Sequence, residues 1–265
     1  MDKLKLKIKK LEDIILNAGK AIVAFSGGID SSLLLLYCKR LLAEKVLAVT
    51  FSSPLQKNSE IGRALEIAKR LNVRQVLIEK DILDIPDVLK NTRERCYYCK
   101  KYIFSEIIGL KNNYPGYVVL DGSNLSDLSS NRPGLEALKD LGVISPFALA
   151  GINKKDILAM TKNTDLSNYD IKGESCLATR FTYGQPLDKE KLKMIDDIEE
   201  RLGRLGLDEI RLRIHGNLAR LEISSDVIGR LNNTDIKKIV DIVKKGGYTY
   251  VTLDLEGFRS GSMDL

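Results

Sequence analysis

Apolar residues run together from Ala21 to Phe25, break at Ser26-Gly27-Gly28-Ile29-Asp30-Ser31, and resume in a longer stretch that reaches Leu42. This pattern predicts a buried strand, a glycine turn and a helix from Ser31 onward. Ahead of it, Leu4, Ile8, Leu11 and Ile15 recur at helical spacing among lysines and predict an amphipathic lead-in helix with a solvated basic face. After it the alternation repeats. A strand is expected at Lys45 to Phe51, a helix from about Ser59 to Leu71, a strand at Arg74 to Glu79, a helix opening at Arg93 and running towards Leu110, and a strand at Tyr117 to Leu120. Pro133 to Leu141 reads as a short helix, Ser145-Pro146-Phe147 as a turn, and Asn153 as the cap of a helix reaching Met160. Strands alternating with helices predict an α/β fold with a doubly wound parallel sheet.

The pattern then changes. Residues 161–187 lack periodicity and read as a connection between domains. From Asp188 a charged helix is expected to about Leu205, with Leu192, Ile195, Ile198 and Leu202 on one face. Alternating strands at Glu209 to Ile214 and Leu218 to Ile223 flank a His215-Gly216-Asn217 turn and predict a hairpin. A helix at Thr234 to Lys245 and a strand at Tyr248 to Leu253 complete a small α+β domain, followed by a tail from Gly257 to Leu265. The expected division is residues 1–175 and residues 176–265.

Length and composition fit this picture. A chain of 265 residues with 44% hydrophobic residues can bury one large core and a smaller companion. No apolar run approaches the roughly 18 residues of a membrane span, and Met1 to Lys10 is too charged for a signal peptide, so a cytoplasmic enzyme with no membrane partner is expected. The net charge of +6 is compatible with nucleic acid and equally with a substrate rich in phosphate and carboxylate.

The glycine turn is built for an anion. Its backbone amides can face a phosphate without Cβ interference, the hydroxyls of Ser26, Ser31 and Ser32 add donors, and the following helix contributes its N-terminal partial charge. Asp30 makes sense there if Mg²⁺ bridges its carboxylate and the phosphates. The loop has neither the Walker lysine nor the dinucleotide glycine spacing; it resembles the SGGxDS loop of the ATP pyrophosphatases, which split ATP into AMP and pyrophosphate. Ligands of open parallel sheets sit beyond the carboxyl ends of strands. Ala24, Phe25, Ser26, Gly27, Gly28, Asp30 and Ser31 are therefore expected around ATP, joined by Ser52 after the second strand and by Gly122 in Asp121-Gly122-Ser123-Asn124. Asp127 and Asn131-Arg132-Pro133-Gly134 follow on the same side.

Four cysteines occur, at 38, 96, 99 and 176. A disulfide is not expected in a cytosolic chain, and zinc wants four ligands; Cys38 lies within an apolar helix and the lone His215 at a strand end. Three thiolates fit a 4Fe-4S cluster with one open iron, and Cys176, in the polar Gly173 to Arg180 connection beside Arg180, is the third candidate after Cys96 and Cys99. Arg211 and Arg213 share one face of a predicted strand, and are either solvated or grip a phosphate or carboxylate bidentately.

The phosphate loop, Arg95 to Lys100 (RCYYCK), Asp121 to Asn124 (DGSN) with Arg132 to Gly134, Glu174 to Arg180 (ESCLATR), Arg211 to Ile223, and Gly257 to Asp264 together resemble, in order and over essentially the whole chain, the LarE family. The resemblance implies an ATP-dependent sulfur transferase of nickel-pincer nucleotide biosynthesis, with a PP-loop domain and a C-terminal domain for substrate and oligomerisation. Its substrate would be a pyridinium biscarboxylate mononucleotide, whose carboxylates are adenylated and converted to thiocarboxylates. It further implies a homohexamer and, because Cys96 and Cys99 accompany Cys176, the cluster-bearing type in which exogenous sulfide, not the protein's own sulfur, is transferred. Lys100 or Lys101 would neutralise the departing pyrophosphate, Lys101 also holding ATP, while Arg180, Arg211 and Arg213 would anchor the substrate. Glu199 and Glu200 compete for the family's glutamate near the sulfur site, and the spacing of Leu202 and Leu205-Gly206 favours Glu199. The rival reading is a cluster-dependent tRNA thiolation enzyme. No zinc-ribbon cysteine pairs and no basic platform interleaved with aromatics support it, so no nucleic-acid partner is expected.

Overall fold

The computed structural model of the chain describes residues 2–128, 133–162, 164–169, 171, 174–207, 209–259 and 262–263. Asn131, Arg132, Gly173, Gly261 and Asp264, parts of the motifs above, lie outside the described residues. The chain divides into two compact units: Met1–Ile82 with Glu94–Glu174, and Leu83–Arg93 with Ser175–Leu265. The segment 83–93 thus packs with the C-terminal half, an association that only tertiary contacts reveal.

The first unit is built on four parallel strands in the order β3-β2-β1-β4, where β1 is Ala21–Ala24, β2 Val46–Ser52, β3 Arg74–Glu79 and β4 Val118–Leu120. Strand β1 pairs with β2 on one side, Ala21 opposite Val46, and with β4 on the other, Ala21 opposite Val118. The strand order therefore reverses at β1, and a crevice opens beyond its carboxyl end. Alternation along β1 supplies both faces of the sheet. Ala21 and Val23 join a core with Leu11 and Ile15 of the Asp2–Ala18 helix, Leu33 to Leu36 of the Ile29–Leu42 helix, and Ile67 of the Asn58–Arg70 helix. Ile22 faces the opposite way, towards Phe104 and Ile107 of the Arg95–Gly109 helix and Leu138 of the Pro133–Asp140 helix. This is the expected α/β, PP-loop type of fold. The 145–147 turn differs: Pro146 starts a short helix to Leu149, because its fixed φ suits a first helical position.

In the second unit β5 (Arg211–His215) and β6 (Leu218–Glu222) form the hairpin, and β7 (Tyr250–Leu253) adds parallel to β6. The Lys189–Gly203 helix starts at Asp188, whose carboxylate accepts the Lys191 N–H at 2.8 Å. Among its described residues the aperiodic 161–187 stretch holds two 3₁₀ turns, Asp165–Asn168 and Leu177–Arg180, too short to leave a periodic signal. Among the described residues no helix is long and apolar enough to cross a membrane.

Candidate functional site

The phosphate loop is held by its own hydroxyls. Ser31 Oγ donates to the Gly28 carbonyl at 3.0 Å and lies 3.2 Å from Ser26 Oγ, which accepts the Gly28 N–H at 3.3 Å. Gly27 has φ +74°, and a Cβ there would stand 2.9 Å from the Ala64 backbone nitrogen, so only glycine lets the loop lie against the Asn58–Arg70 helix. Arg63 Nε clamps the Gly27 carbonyl at 3.1 Å. Gly122 plays the matching part from β4: a Cβ on it would meet Ser31 N at 2.9 Å. Ser32, expected to donate beside Ser26 and Ser31, is instead fully buried, and its hydroxyl has no hydrogen-bond partner among the described residues.

Beyond this loop lies a cavity of about 490 Å³. Ala24, Phe25, Ser26, Gly28, Asp30, Ser31 and Gly122 line it, together with Lys100. Its lining includes the polar Asp30, Asp121, Ser123 and Asp127 and the apolar Val49, Phe51, Ile103, Phe104 and Leu135. A phosphate cradle and apolar side chains lining one cavity suit a purine nucleotide. Two further lining residues were not expected at ATP: Gln56, which carries no local motif, and Glu174, which opens the Glu174 to Arg180 motif noted for its cysteine. Glu174 is paired with Lys57 at 3.1 Å, and burial, reinforced by the charge of Glu174, pushes the nearby Glu60 carboxyl above its usual range.

Three expected contacts differ. Gly27 backs onto Ala64 and does not line the cavity. Ser52 does not line it either; Phe51, one residue earlier and on the other face of the strand, does. Lys101 is exposed, with Nζ 3.3 Å from Tyr97 Oη and 5.3 Å from that ring's centroid. One residue apart on a helix is about 100° of rotation, so Lys100 and Lys101 cannot serve one site equally.

Asp30 has an unexpected partner: Lys154 Nζ reaches both of its carboxylate oxygens at 2.8 Å. Burial raises the Asp30 pKa above the ordinary carboxylate range, the Lys154 hydrogen bond and charge oppose this, and the Asp127 charge adds to it.

Cys96 and Cys99 sit three residues apart in the first turns of the Arg95–Gly109 helix, the former exposed and the latter partly so. Gly134 lets the next helix pack closely there, since a Cβ would lie 3.3 Å from the Cys96 carbonyl and 2.8 Å from Lys100 Cδ. Cys176 is exposed and opens the Leu177–Arg180 turn in the second unit. Cys38 is fully buried and burial pushes its thiol up to about 12. Among the described residues no three His, Cys, Asp or Glu side chains converge as a metal site.

In the second unit Arg180, expected at a substrate, is at 0% exposure. Its Nε and Nη2 each donate to Glu199 at 2.8 Å, and Glu199 also accepts the Leu212 N–H at 2.8 Å. Arg180 Nη1 turns to the cysteine segment, donating to Ser175 Oγ at 2.6 Å, Thr179 Oγ1 at 3.0 Å and the Ser175 carbonyl at 3.2 Å. A guanidinium so enclosed orders the Cys176 turn; it does not reach out to a ligand. Glu200, by contrast, is exposed and paired with Arg204. Arg211 and Arg213 are buried, which overturns the solvated alternative. Arg211 Nε donates to Ser175 Oγ at 3.0 Å and its guanidinium lies 5.1 Å from the Phe258 ring centroid. Arg213 donates to Glu222 at 3.1 Å, the Thr179 carbonyl at 2.7 Å and Ser262 Oγ at 3.2 Å. Burial lowers the Arg213 pKa, Glu222 opposes that, and the charges of Arg180 and Arg211 add to the lowering.

The sheet order, the glycine loop after β1 and the cavity beyond it define a protein of the PP-loop, ATP-pyrophosphatase class. In agreement, the family described as NAD synthase matches residues 4–101. Similar full-length proteins include an uncharacterized protein of Synechocystis sp., 31% identical over 266 residues and covering 98% of each chain, and an uncharacterized protein of Methanocaldococcus jannaschii, 36% identical over 241 residues and 91% of each. Pyridinium-3,5-bisthiocarboxylic acid mononucleotide synthase of Lactiplantibacillus plantarum is 33% identical over 250 residues, 92% of this chain and 89% of that one. The chain belongs to the family of that synthase, the LarE family.

Proposed function

We infer that this protein is an ATP-dependent sulfur transferase acting on pyridinium-3,5-biscarboxylic acid mononucleotide. A substrate carboxylate attacks the α-phosphorus of ATP, pyrophosphate leaves, and sulfide displaces AMP from the acyl-adenylate to give the thiocarboxylate. The observation that carries this is the cavity beyond β1, where the Ser26 to Ser31 cradle, Asp30 and Lys100 share one lining with apolar side chains, in a chain similar along its length to a thiocarboxylate synthase.

In this reading Asp30 and the neighbouring Asp127 would hold Mg²⁺, which would offset charge on the phosphates, and Lys100 offsets charge on the departing pyrophosphate. Cys96, Cys99 and Cys176 would hold a 4Fe-4S cluster. Three accessible thiols, two of them at chelating spacing on one helix, suit that role in kind, whereas the buried Cys38 does not. When bound, the cluster supplies an open iron for sulfide. Arg180 and Glu199 position the Cys176 turn. Arg211 and Arg213 receive the substrate's phosphate and carboxylate by exchanging neutral partners, the hydroxyls of Ser175 and Ser262 and the Thr179 carbonyl, for substrate oxygens. The first unit handles ATP and the second the mononucleotide and assembly into a homohexamer, in the cytoplasm.

The test is pyrophosphate release with the pyridinium biscarboxylate mononucleotide or with bulk tRNA. The mononucleotide should stimulate release and tRNA should not, and Asp30→Asn should abolish most of it in a folded protein. Stimulation by tRNA alone would replace this function with RNA thiolation.

A further inference from the structure

Two cations have a claim on Asp30. Both of its carboxylate oxygens are held by the Lys154 ammonium at 2.8 Å, yet a Mg²⁺ held by a carboxylate and phosphate oxygens needs those same atoms. The base from which Lys154 projects is fixed. It is the first residue of the Lys154–Thr161 helix, whose cap Asn153 accepts the Asp156 N–H at 2.9 Å while Asp156 returns a bond to the Asn153 N–H at 3.1 Å. The Lys154 N–H itself donates to Ser126 Oγ at 3.2 Å. The far end is different: the Lys154 side chain is 43% exposed and that of Asp30 29%. An ammonium on a four-carbon stem is a compact, rotatable charge, so this pair can open without unpacking the core.

We propose that Lys154 is a tethered counter-cation of the nucleotide cavity. Without a divalent ion it neutralises Asp30; when a metal-bound triphosphate arrives, it yields the carboxylate to the metal and turns its ammonium to phosphate oxygens. A bare divalent cation has to displace the lysine with nothing offered in return and binds weakly. A cation that comes with its triphosphate brings the lysine a new partner. Lys154 thereby makes the metal and nucleotide enter together. This rests on the reading above that Asp30 takes a divalent cation.

The test uses Mn²⁺ as the probe, its binding to the full chain read from the free-ion electron paramagnetic resonance signal without nucleotide, and Mg·ATP binding read by calorimetry. Lys154→Met, which keeps the stem and loses the charge, should bind Mn²⁺ more tightly by on the order of fivefold, the factor of a partly exposed ion pair. It should bind Mg·ATP more weakly by on the order of fivefold for the same reason. Lys154→Arg should stay near wild type for Mn²⁺, and Lys154→Gln serves the same comparison should the methionine variant not fold. Asp30→Asn should lose Mn²⁺ binding in both backgrounds. Unchanged or weaker Mn²⁺ binding in Lys154→Met and Lys154→Gln, with loss in Asp30→Asn, overturns the counter-cation and leaves the Asp30 reading standing. Mn²⁺ binding retained in Asp30→Asn overturns both.

Discussion

Replacing Glu199 with glutamine probes the buried centre of the second unit. The Glu199 carboxylate accepts Arg180 Nε and Nη2 and the Leu212 N–H, each at 2.8 Å, and both charged side chains are at 0% exposure. Glutamine keeps the shape but turns an NH₂ towards a guanidinium that needs an acceptor, and removes the negative charge. Taking away one member of a buried pair costs about 3–5 kcal/mol. Against the 5–15 kcal/mol or so that holds a typical domain together, that is a large share. Replacing both partners, Arg180→Met with Glu199→Leu, leaves no bare charge. It should cost about 2 kcal/mol less than Glu199→Gln alone, the remainder coming from the Leu212 N–H left without its acceptor and from the bonds lost between Arg180 and Ser175 and Thr179. The chain has no tryptophan, so far-ultraviolet circular dichroism in urea is the assay, and the midpoint should move with the slope unchanged. A single variant within about 1 kcal/mol of wild type, or a double variant no better than the single, would refute the claim that this pair is structural.

Gly27→Ala should cost about 1–3 kcal/mol and abolish ATP binding measured by calorimetry, because the new Cβ meets the Ala64 backbone. Gly116→Ala, with φ +79° but open space around it, should lower stability with ATP affinity unchanged. In metal-free protein Ellman's reagent should react quickly with Cys96, Cys99 and Cys176, and with Cys38 only after unfolding, since burial holds that thiol at about 12; fast labelling of Cys38 would contradict its packing. Asp156 is held below the ordinary carboxylate range; burial alone would raise it, but the Lys7 ammonium and the Asn153 N–H outweigh burial. Its contribution is therefore complete above about pH 3.9, the unfolded value, and is lost as pH falls through the lower folded value. Asp156→Asn should flatten the acid limb of the stability curve in that window, as followed by thermal melts.

Local pattern carried the elements of both units. Alternation and glycine punctuation placed the β1-turn-helix segment, the hairpin and the capped helices to within a few residues, because strand, turn and cap preferences are settled by neighbours in the chain. The loop chemistry at Ser26 to Ser31 was legible for the same reason: amides, hydroxyls and a helix start within six residues make an anion site wherever they occur. Partners across long separations were not legible. Lys154 meets Asp30 from 124 residues away, Glu174 enters the nucleotide cavity wall from a motif noted for its cysteine, and 83–93 joins the second unit. Nor could sequence tell which of two adjacent lysines turns to the cavity, or that Arg180, Arg211 and Arg213 would be buried. Burial of a charge depends on whether a carboxylate from another element arrives to compensate it, and Glu199 and Glu222 do so only once helix and hairpin have packed.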